Sequence, residues 1–204
     1  NTHCGFDFKR KENPPPLIKN NYITFGSFNN PAKINKNVIT CWSKILKEIK
    51  NSKLIIKCSN DKKKLDRIQR LMEKKGVLDS VIFHKRFEDK KDHLNLYNEV
   101  DIALDTFPYN GVTTSFEAIW MGVPVLTMAG YNFNSRCGES INKNLNMEQL
   151  IAKDEDDYIQ KVVNLTNNTD DYINIRNSIF IDAIKSPLFN TCLLYTSPSP
   201  RDTL

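Results

Sequence analysis

The sequence predicts an α/β fold built on a doubly wound parallel sheet of the Rossmann-like type. Short apolar runs alternate along the chain with longer stretches whose apolar residues recur at helical spacing, and this alternation is typical of βαβ units. The runs are apolar at nearly every position, as expected for strands that helices cover on both faces. A chain of 204 residues is long enough for one such domain with a sizeable core.

The predicted elements follow one another in a simple order. Strands are expected at 22–25, 54–56, 81–83, 101–104 and 123–127. Helices are expected at 34–49, 61–75, 93–100, 114–121, 139–150, 157–165 and 171–184, with Asn35 capping the first and Gly76 ending the second. Because a ligand binds beyond the carboxyl ends of the strands in such a sheet, the loops after the first four strands are the candidate site.

The two ends of the chain are expected to lie outside this domain, which spans 22–191. Residues 1–21 include Pro14-Pro15-Pro16 and predict an extended linker or the truncated edge of a preceding lobe. Residues 192–204 read as the conceptual translation of a transposase sequencing adapter, a string typical of metagenomic gene predictions; a native Ser/Pro linker is the alternative. Since the chain also lacks an initiator methionine, we interpret it as a fragment of a longer protein.

Composition argues against several classes of function. The lysines that give the net charge of +5 are scattered rather than clustered with aromatic residues, so nucleic acid is not an expected partner. The excess of positive charge equally suits an anionic small ligand. The five cysteines have no CxxC spacing, which indicates neither a zinc site nor a disulfide framework but reduced thiols. No apolar run is long enough to span a bilayer and no signal peptide is visible. We therefore expect a cytoplasmic protein without a membrane partner.

An acidic run, Asp154-Glu-Asp-Asp157, resembles the Asp-x-Asp metal site of some sugar-transferring enzymes. Acidic residues also complement the positive end of a helix dipole, and a helix is predicted to begin just after this run. We interpret the run as a helix start, and we predict neither a metal nor another cofactor.

The most informative segment begins at the end of the fourth strand, Leu104-Asp105, and continues through a turn into the helix at 114–121. Hydroxyl residues Thr113 and Thr114 stand at the helix start, where unpaired N–H groups and the dipole favour an anion such as a nucleotide diphosphate. The alternative is a capping box over 114–117, in which Glu117 reaches back to the cap. The pattern alone leaves both interpretations open.

Two further segments carry polar residues in the predicted loops. The first strand leads into Gly26-Ser-Phe-Asn-Asn-Pro-Ala-Lys33, which includes Asn30. The third strand is followed by Lys90-Lys-Asp-His93. Taken singly, a surface lysine or a histidine at a helix start indicates little.

The three segments together, in this order and spacing, resemble glycosyltransferase family 41, the protein O-GlcNAc transferases and SPINDLY proteins. The resemblance covers about 22–191. It implies that Lys33 contacts the diphosphate and supports its departure, with Asn30 beside it, and that Lys90 and His93 line the nucleobase and phosphate side. The remaining implied donor-binding residues, at the start of the 114–121 helix, are Gly111, Thr113, Thr114 and Glu117, of which Glu117 would bind the ribose hydroxyls.

The chain departs from the family pattern at two positions that matter for these contacts. Val112 replaces a histidine of some members, which removes a polar group near the diphosphate. Leu96 replaces an arginine of some members, so that contact is absent. The loop before Lys90 is one residue longer than in some relatives, which blurs any preference for one nucleobase.

The resemblance implies the C-terminal lobe of the two-lobed GT-B architecture. The intact enzyme is expected to move a sugar of the GlcNAc or fucose type from UDP or GDP to protein Ser or Thr, with inversion and without metal. Acceptor proteins would be presented by upstream tetratricopeptide repeats and a preceding lobe, so this chain alone would bind donor without transferring sugar. The alternatives are a GT-B enzyme with a non-protein acceptor, a non-catalytic nucleotide-sugar-binding module, and an unrelated Rossmann-like regulator.

Overall fold

The computed structural model describes residues 14–58 and 61–190. The tail predicted at 192–204 and the first thirteen residues of the predicted linker lie outside these ranges. Within the described ranges, no helix is long and apolar enough to cross a membrane. The same ranges hold no group of three or more His, Cys, Asp or Glu side chains that could bind a metal ion.

Six parallel strands in the described residues form one sheet: β1 (Thr24–Ser27), β2 (Lys53–Lys57), β3 (Val81–His84), β4 (Ile102–Leu104), β5 (Val125–Met128) and β6 (Ile151–Ala152). Their order across the sheet is β3-β2-β1-β4-β5-β6. The chain thus winds outward from β1 in one direction and from β4 in the other, which confirms the predicted doubly wound parallel sheet. The two halves meet where β1 pairs with β4.

Eight α-helices connect and cover these strands in the described part of the chain: α1 (Pro16–Asn20), α2 (Lys36–Glu48), α3 (Lys62–Lys74), α4 (Lys90–Asn95), α5 (Thr113–Trp120), α6 (Cys137–Asn144), α7 (Glu155–Asn167) and α8 (Thr169–Lys185). Side-chain caps explain several starts. Asn35 accepts from the Val38 amide at 3.0 Å, as predicted. Asp154 accepts from the Asp157 amide at 2.8 Å, so the acidic run is the start of α7.

Three predictions of local structure need correction, and one strand was missed. The expected extended linker is wrong over α1, where Pro16 occupies the first turn and its fixed φ suits a helix. The strand β6 was not predicted because two residues carry no periodicity. The helix expected at 93–100 begins at Lys90 and tightens into a 3-10 turn over Leu96–Glu99. The helix expected at 139–150 ends at Asn144, and a separate 3-10 turn covers Glu148–Leu150.

A network of hydrogen bonds around Asp101 links α1, β1 and α8 at the amino ends of the strands. This buried carboxylate precedes β4 and accepts from the amides of Leu17 at 2.9 Å and Thr24 at 2.8 Å. It also accepts from the Tyr172 hydroxyl at 2.6 Å. Arg176 of α8 donates to the Val100 carbonyl oxygen at 2.8 Å and the Asp101 carbonyl oxygen at 3.1 Å. Asp101 therefore ties α1 and α8 to the sheet, at the edge opposite the predicted site.

Candidate functional site

The carboxyl ends of β1 and β4 are joined by a second buried carboxylate, Asp105. Its Oδ1 accepts from the amides of Thr106 at 2.8 Å and Gly111 at 2.6 Å, and from Asn29 Nδ2 at 3.1 Å. Its Oδ2 accepts from Thr127 Oγ1 at 2.9 Å. Since these donors come from the loops after β1 and β4 and from β5, Asp105 fixes the loops that meet at the switch point of the sheet.

Burial raises the pKa of Asp105 to about 6, and its four hydrogen-bond donors oppose the rise. Near neutral pH the group is therefore a carboxylate held among its donors. The negative charge of Asp105 also attracts the ammonium group of Lys33 and favours the charged form of that side chain.

Gly111 allows the loop after β4 to approach the loop after β1 closely. A Cβ added at Gly111 would lie 2.6 Å from Thr114 Oγ1 and 2.8 Å from Asn29 Oδ1. These two oxygens belong to a hydrogen bond in which Thr114 Oγ1 donates to Asn29 Oδ1 at 2.8 Å. The position therefore requires glycine for reasons of space, and the hydroxyl of Thr114 is already directed toward Asn29.

Lys33 ends a 3-10 turn, Pro31–Lys33, and extends across the loop after β4. Its ammonium donates to the Asn110 carbonyl oxygen at 2.8 Å and lies 4.1 Å from the centroid of the Tyr109 ring. Partial burial lowers its pKa, while the charge of Asp105 opposes that change. The structure thus holds one ammonium group in a defined place at the switch point.

Asn30 lies beside Lys33 in sequence but plays a local part. Its side chain caps the 3-10 turn by accepting from the Ala32 amide at 3.0 Å, and the residue is exposed. The buried neighbour Asn29 is the asparagine that links the two loops.

Glu117 does not serve as a helix cap. Its Oε2 lies 2.9 Å from His93 Nε2 and accepts from the Tyr97 hydroxyl at 3.4 Å. The N-cap residue of α5 is Val112, which makes no side-chain cap bond. The capping-box interpretation is therefore wrong, because the carboxylate binds His93 and Tyr97 and the N-cap is Val112 rather than Thr114.

His93, Tyr97 and Phe28 form an aromatic cluster around this contact. The Phe28 ring lies 4.5 Å from that of Tyr97 and 5.8 Å from that of His93, centroid to centroid. Tyr97 is buried and donates to the Thr114 carbonyl oxygen at 3.1 Å. The imidazole and the carboxylate of Glu117 are thereby fixed against α5.

A cleft of about 360 Å³ opens beside this cluster. It is lined by Lys57, Arg86, Phe87, Glu88, Asp89, Lys90, His93, Thr113, Thr114 and Glu117. The cleft thus contains five of the eight predicted site residues. Gly111 adjoins it through its contact with Thr114, whereas Lys33 and Asn30 lie outside its lining.

Sequence reasoning missed three polar residues of the site: Asn29, Asp105 as a loop anchor, and Lys57. Lys57 is the last residue of β2, and its ammonium lies 3.2 Å from His93 Nδ1. A signal was present, because the carboxyl end of every parallel strand faces the site. Charged residues at the predicted ends of strands should therefore have been counted as site candidates beside the residues of the loop motifs.

The architecture defines the class of protein. The fold is that of the Rossmann-like C-terminal lobe of GT-B glycosyltransferases. A solved structure of TarM from S. aureus superimposes on this chain with a TM-score of 0.70 at 14% identity. The match covers 92% of this chain and 36% of TarM. At that identity the similarity speaks for the fold alone.

Sequence similarity then identifies the family. The profile described as Glycosyl transferase family 41 matches residues 16–198. A tomato (Solanum lycopersicum) protein described as a probable UDP-N-acetylglucosamine--peptide N-acetylglucosaminyltransferase SPINDLY is 35% identical over 184 residues, which is 86% of this chain and 19% of that protein. A mutant O-GlcNAc transferase of Thermobaculum terrenum superimposes with a TM-score of 0.76 at 29% identity, over 80% of this chain and 32% of that one. This chain belongs to glycosyltransferase family 41.

The match is to one part of larger proteins. The chain spans about a fifth of the length of the curated relatives it matches. Three predictions are confirmed: the family, the fold class and the assignment to glycosyltransferases. The roles of individual residues stay predictions.

Proposed function

We propose that this chain is the donor-binding lobe of an inverting glycosyltransferase that moves a sugar from a nucleoside diphosphate to Ser or Thr of a protein. The observation that carries the proposal is a cleft at the carboxyl ends of the strands, lined by His93, Glu117 and the start of α5. Lys33 is held nearby, against the carbonyl oxygen of Asn110 in the loop that leads into α5. Family membership supplies the reaction class. GlcNAc-type and fucose-type donors, linked to UDP or GDP, both fit this proposal.

The start of α5 would bind the diphosphate. Thr113 and Thr114 are its first residues and line the cleft, where backbone N–H groups and the helix dipole attract anions. Glu117, one turn further along α5, lines the same cleft and would accept from the ribose hydroxyls. Lys90 at the start of α4 and the ring of His93 would border the nucleobase side.

Lys33 would stabilise the charge that develops during transfer. The acceptor oxygen forms a bond to the anomeric carbon while the bond to the diphosphate oxygen breaks, and the diphosphate leaves with that electron pair. The acceptor proton passes to a base that would lie outside this lobe. A cation already held by Asn110 and Tyr109 needs little rearrangement to meet the extra negative charge.

Protein acceptors would be presented by a preceding lobe and by tetratricopeptide repeats upstream, and the chain alone would bind donor without turnover.

No metal or cofactor is proposed. Binding that is unchanged by EDTA would agree with a metal-free site.

A titration of the 204-residue chain with UDP, GDP and ADP by isothermal calorimetry tests the proposal. UDP or GDP should bind, and Lys33→Ala should weaken binding by about tenfold, or about 1.4 kcal/mol. Lys53→Ala is the matched control, because Lys53 is also half-buried and donates to a backbone carbonyl, that of Asp79. A folded wild-type sample that binds none of the three nucleotides, or a Lys33→Ala variant with unchanged affinity, would contradict the proposal.

A further inference from the structure

Lys57 is a charged residue in the cleft to which the family resemblance assigned no role. It ends β2 and lies at the carboxyl edge of the sheet, half-buried. Its ammonium nitrogen lies 3.2 Å from His93 Nδ1 and 3.3 Å from His93 Nε2. The sheet therefore holds an ammonium group against the imidazole that contacts Glu117.

This contact leaves hydrogen-bonding capacity on the ammonium group. The nearly equal distances to both ring nitrogens mean that Nζ is not aligned with the lone pair of either one. An ammonium group has three N–H donors, and a contact of this kind does not satisfy them. Burial lowers the pKa of Lys57, and the charge of Glu117 opposes that change. The group is thus a partly desolvated cation at the wall of a cleft, a state that an anionic ligand would stabilise.

A helix start and two further basic side chains line the same cleft as Lys57, and two of the three acidic residues there are engaged in bonds within the protein. The same cleft is lined by the start of α5, at Thr113 and Thr114, and by Arg86 and Lys90. Of its three acidic residues, Asp89 caps α4 by accepting from the Lys91 amide, and Glu117 is bonded to His93 and Tyr97. Glu88 is exposed.

We propose that Lys57 is a second anion-binding cation of the donor site and contacts the diphosphate from the β2 side of the cleft. The inference rests on the proposed function and extends it. Lys33, on the loop after β1, is held by Asn110 and Tyr109. Lys57 approaches from the neighbouring strand, so the two lysines would bind the same diphosphate from different elements of the sheet.

The test compares three probes on the 204-residue chain: UDP, uridine and inorganic pyrophosphate. Lys57→Met should weaken UDP and pyrophosphate about tenfold or more and leave uridine within twofold, because only the anionic part loses a contact. Lys57→Arg should retain most of the UDP affinity, since it keeps the cation. GDP and guanosine replace the uridine pair if GDP is the nucleotide that binds.

Lys53→Met is the control, because Lys53 and Lys57 are the first and last residues of the same strand and are both half-buried. Unchanged UDP affinity in a folded Lys57→Met sample would overturn the inference. An equal loss for UDP and uridine, with pyrophosphate unaffected, would also overturn it and show that Lys57 acts by positioning His93. A wild-type chain that binds no nucleotide would instead refute the proposed function itself.

Discussion

An aspartate flanks each end of β4, and the two aspartates are similarly buried but bind different parts of the molecule. Asp101 precedes the strand and Asp105 follows it, and both are almost inaccessible to solvent. Burial raises the pKa of both carboxyls, against the effect of their hydrogen-bond donors. The donors to Asp101 belong to α1, β1 and α8, whereas those to Asp105 belong to the site loops and β5.

This difference shows that the donors around a buried carboxylate decide what the group does. A buried charge persists only where hydrogen bonds compensate its lost hydration. At the amino edge these bonds hold covering elements on the sheet. At the carboxyl edge they hold Asn29 and Gly111 in place and thereby shape the loop that leads into α5. Asp101 is thus a residue of the fold and Asp105 a residue of the candidate site.

The largest expected effect comes from Asp105→Ala. The substitution leaves four buried donors without their acceptor and should reduce the free energy of unfolding by about 4 kcal/mol. Nucleotide binding should be lost as well, because the loop before α5 depends on this carboxylate. Urea denaturation and a UDP titration measure the two effects. A folded variant with wild-type affinity would show that Asp105 does not organise the site.

The second effect is the pH dependence of stability through Asp105. Its pKa is raised to about 6 in the folded chain, so the folded state binds this proton more tightly than the unfolded state. Its contribution to the free energy of unfolding therefore falls as pH rises from about 4 to about 6, by roughly 3 kcal/mol. The difference between wild type and Asp105→Asn in denaturant titrations should shrink over that interval and level off above it. A difference that grows with pH would contradict the raised pKa.

A smaller effect is expected for Asp101→Asn. The amide keeps one acceptor oxygen but places an NH₂ group either against the Thr24 amide or against the Leu17 amide and the Tyr172 hydroxyl. The free energy of unfolding should therefore fall by about 2 kcal/mol. The affinity for UDP or GDP should stay within twofold, because the contacts lie at the opposite edge of the sheet. Loss of nucleotide affinity in a folded sample would remove the distinction between the two carboxylates.

The last comparison is between two adjacent asparagines, and it includes the smallest expected effect, that of Asn30→Ala. Asn29→Ala removes the link between Asp105 and Thr114 and should cost about 2 kcal/mol, together with nucleotide affinity. Asn30→Ala removes only the cap of a 3-10 turn and should cost about 0.5 kcal/mol. Parallel thermal melts and titrations compare the variants. Equal losses of stability and of nucleotide affinity in the two variants would support the donor-site role that the sequence pattern predicted for Asn30.

Local patterns were sufficient for most elements of the fold. Helical spacing, the cap Asn35 and the acidic helix start at 154–157 depend on residues within a turn of one another, so the sequence predicts them directly. The strongly apolar strands implied coverage on both faces and hence a parallel sheet. Elements without such a pattern escaped prediction: α1 begins in a proline run, and β6 has two residues.

The sequence by itself determined the fold class, the family and the loops in which the site lies, because these follow from periodicity and from motifs contained in short segments. Only the tertiary structure decided which side chains meet. Asn29 and Thr114 are 85 residues apart, and Lys57 and His93 are 36 apart. Contacts across such separations depend on strand order and register, which no local pattern contains. The same reason explains why Glu117 binds His93 rather than the cap predicted at Thr114.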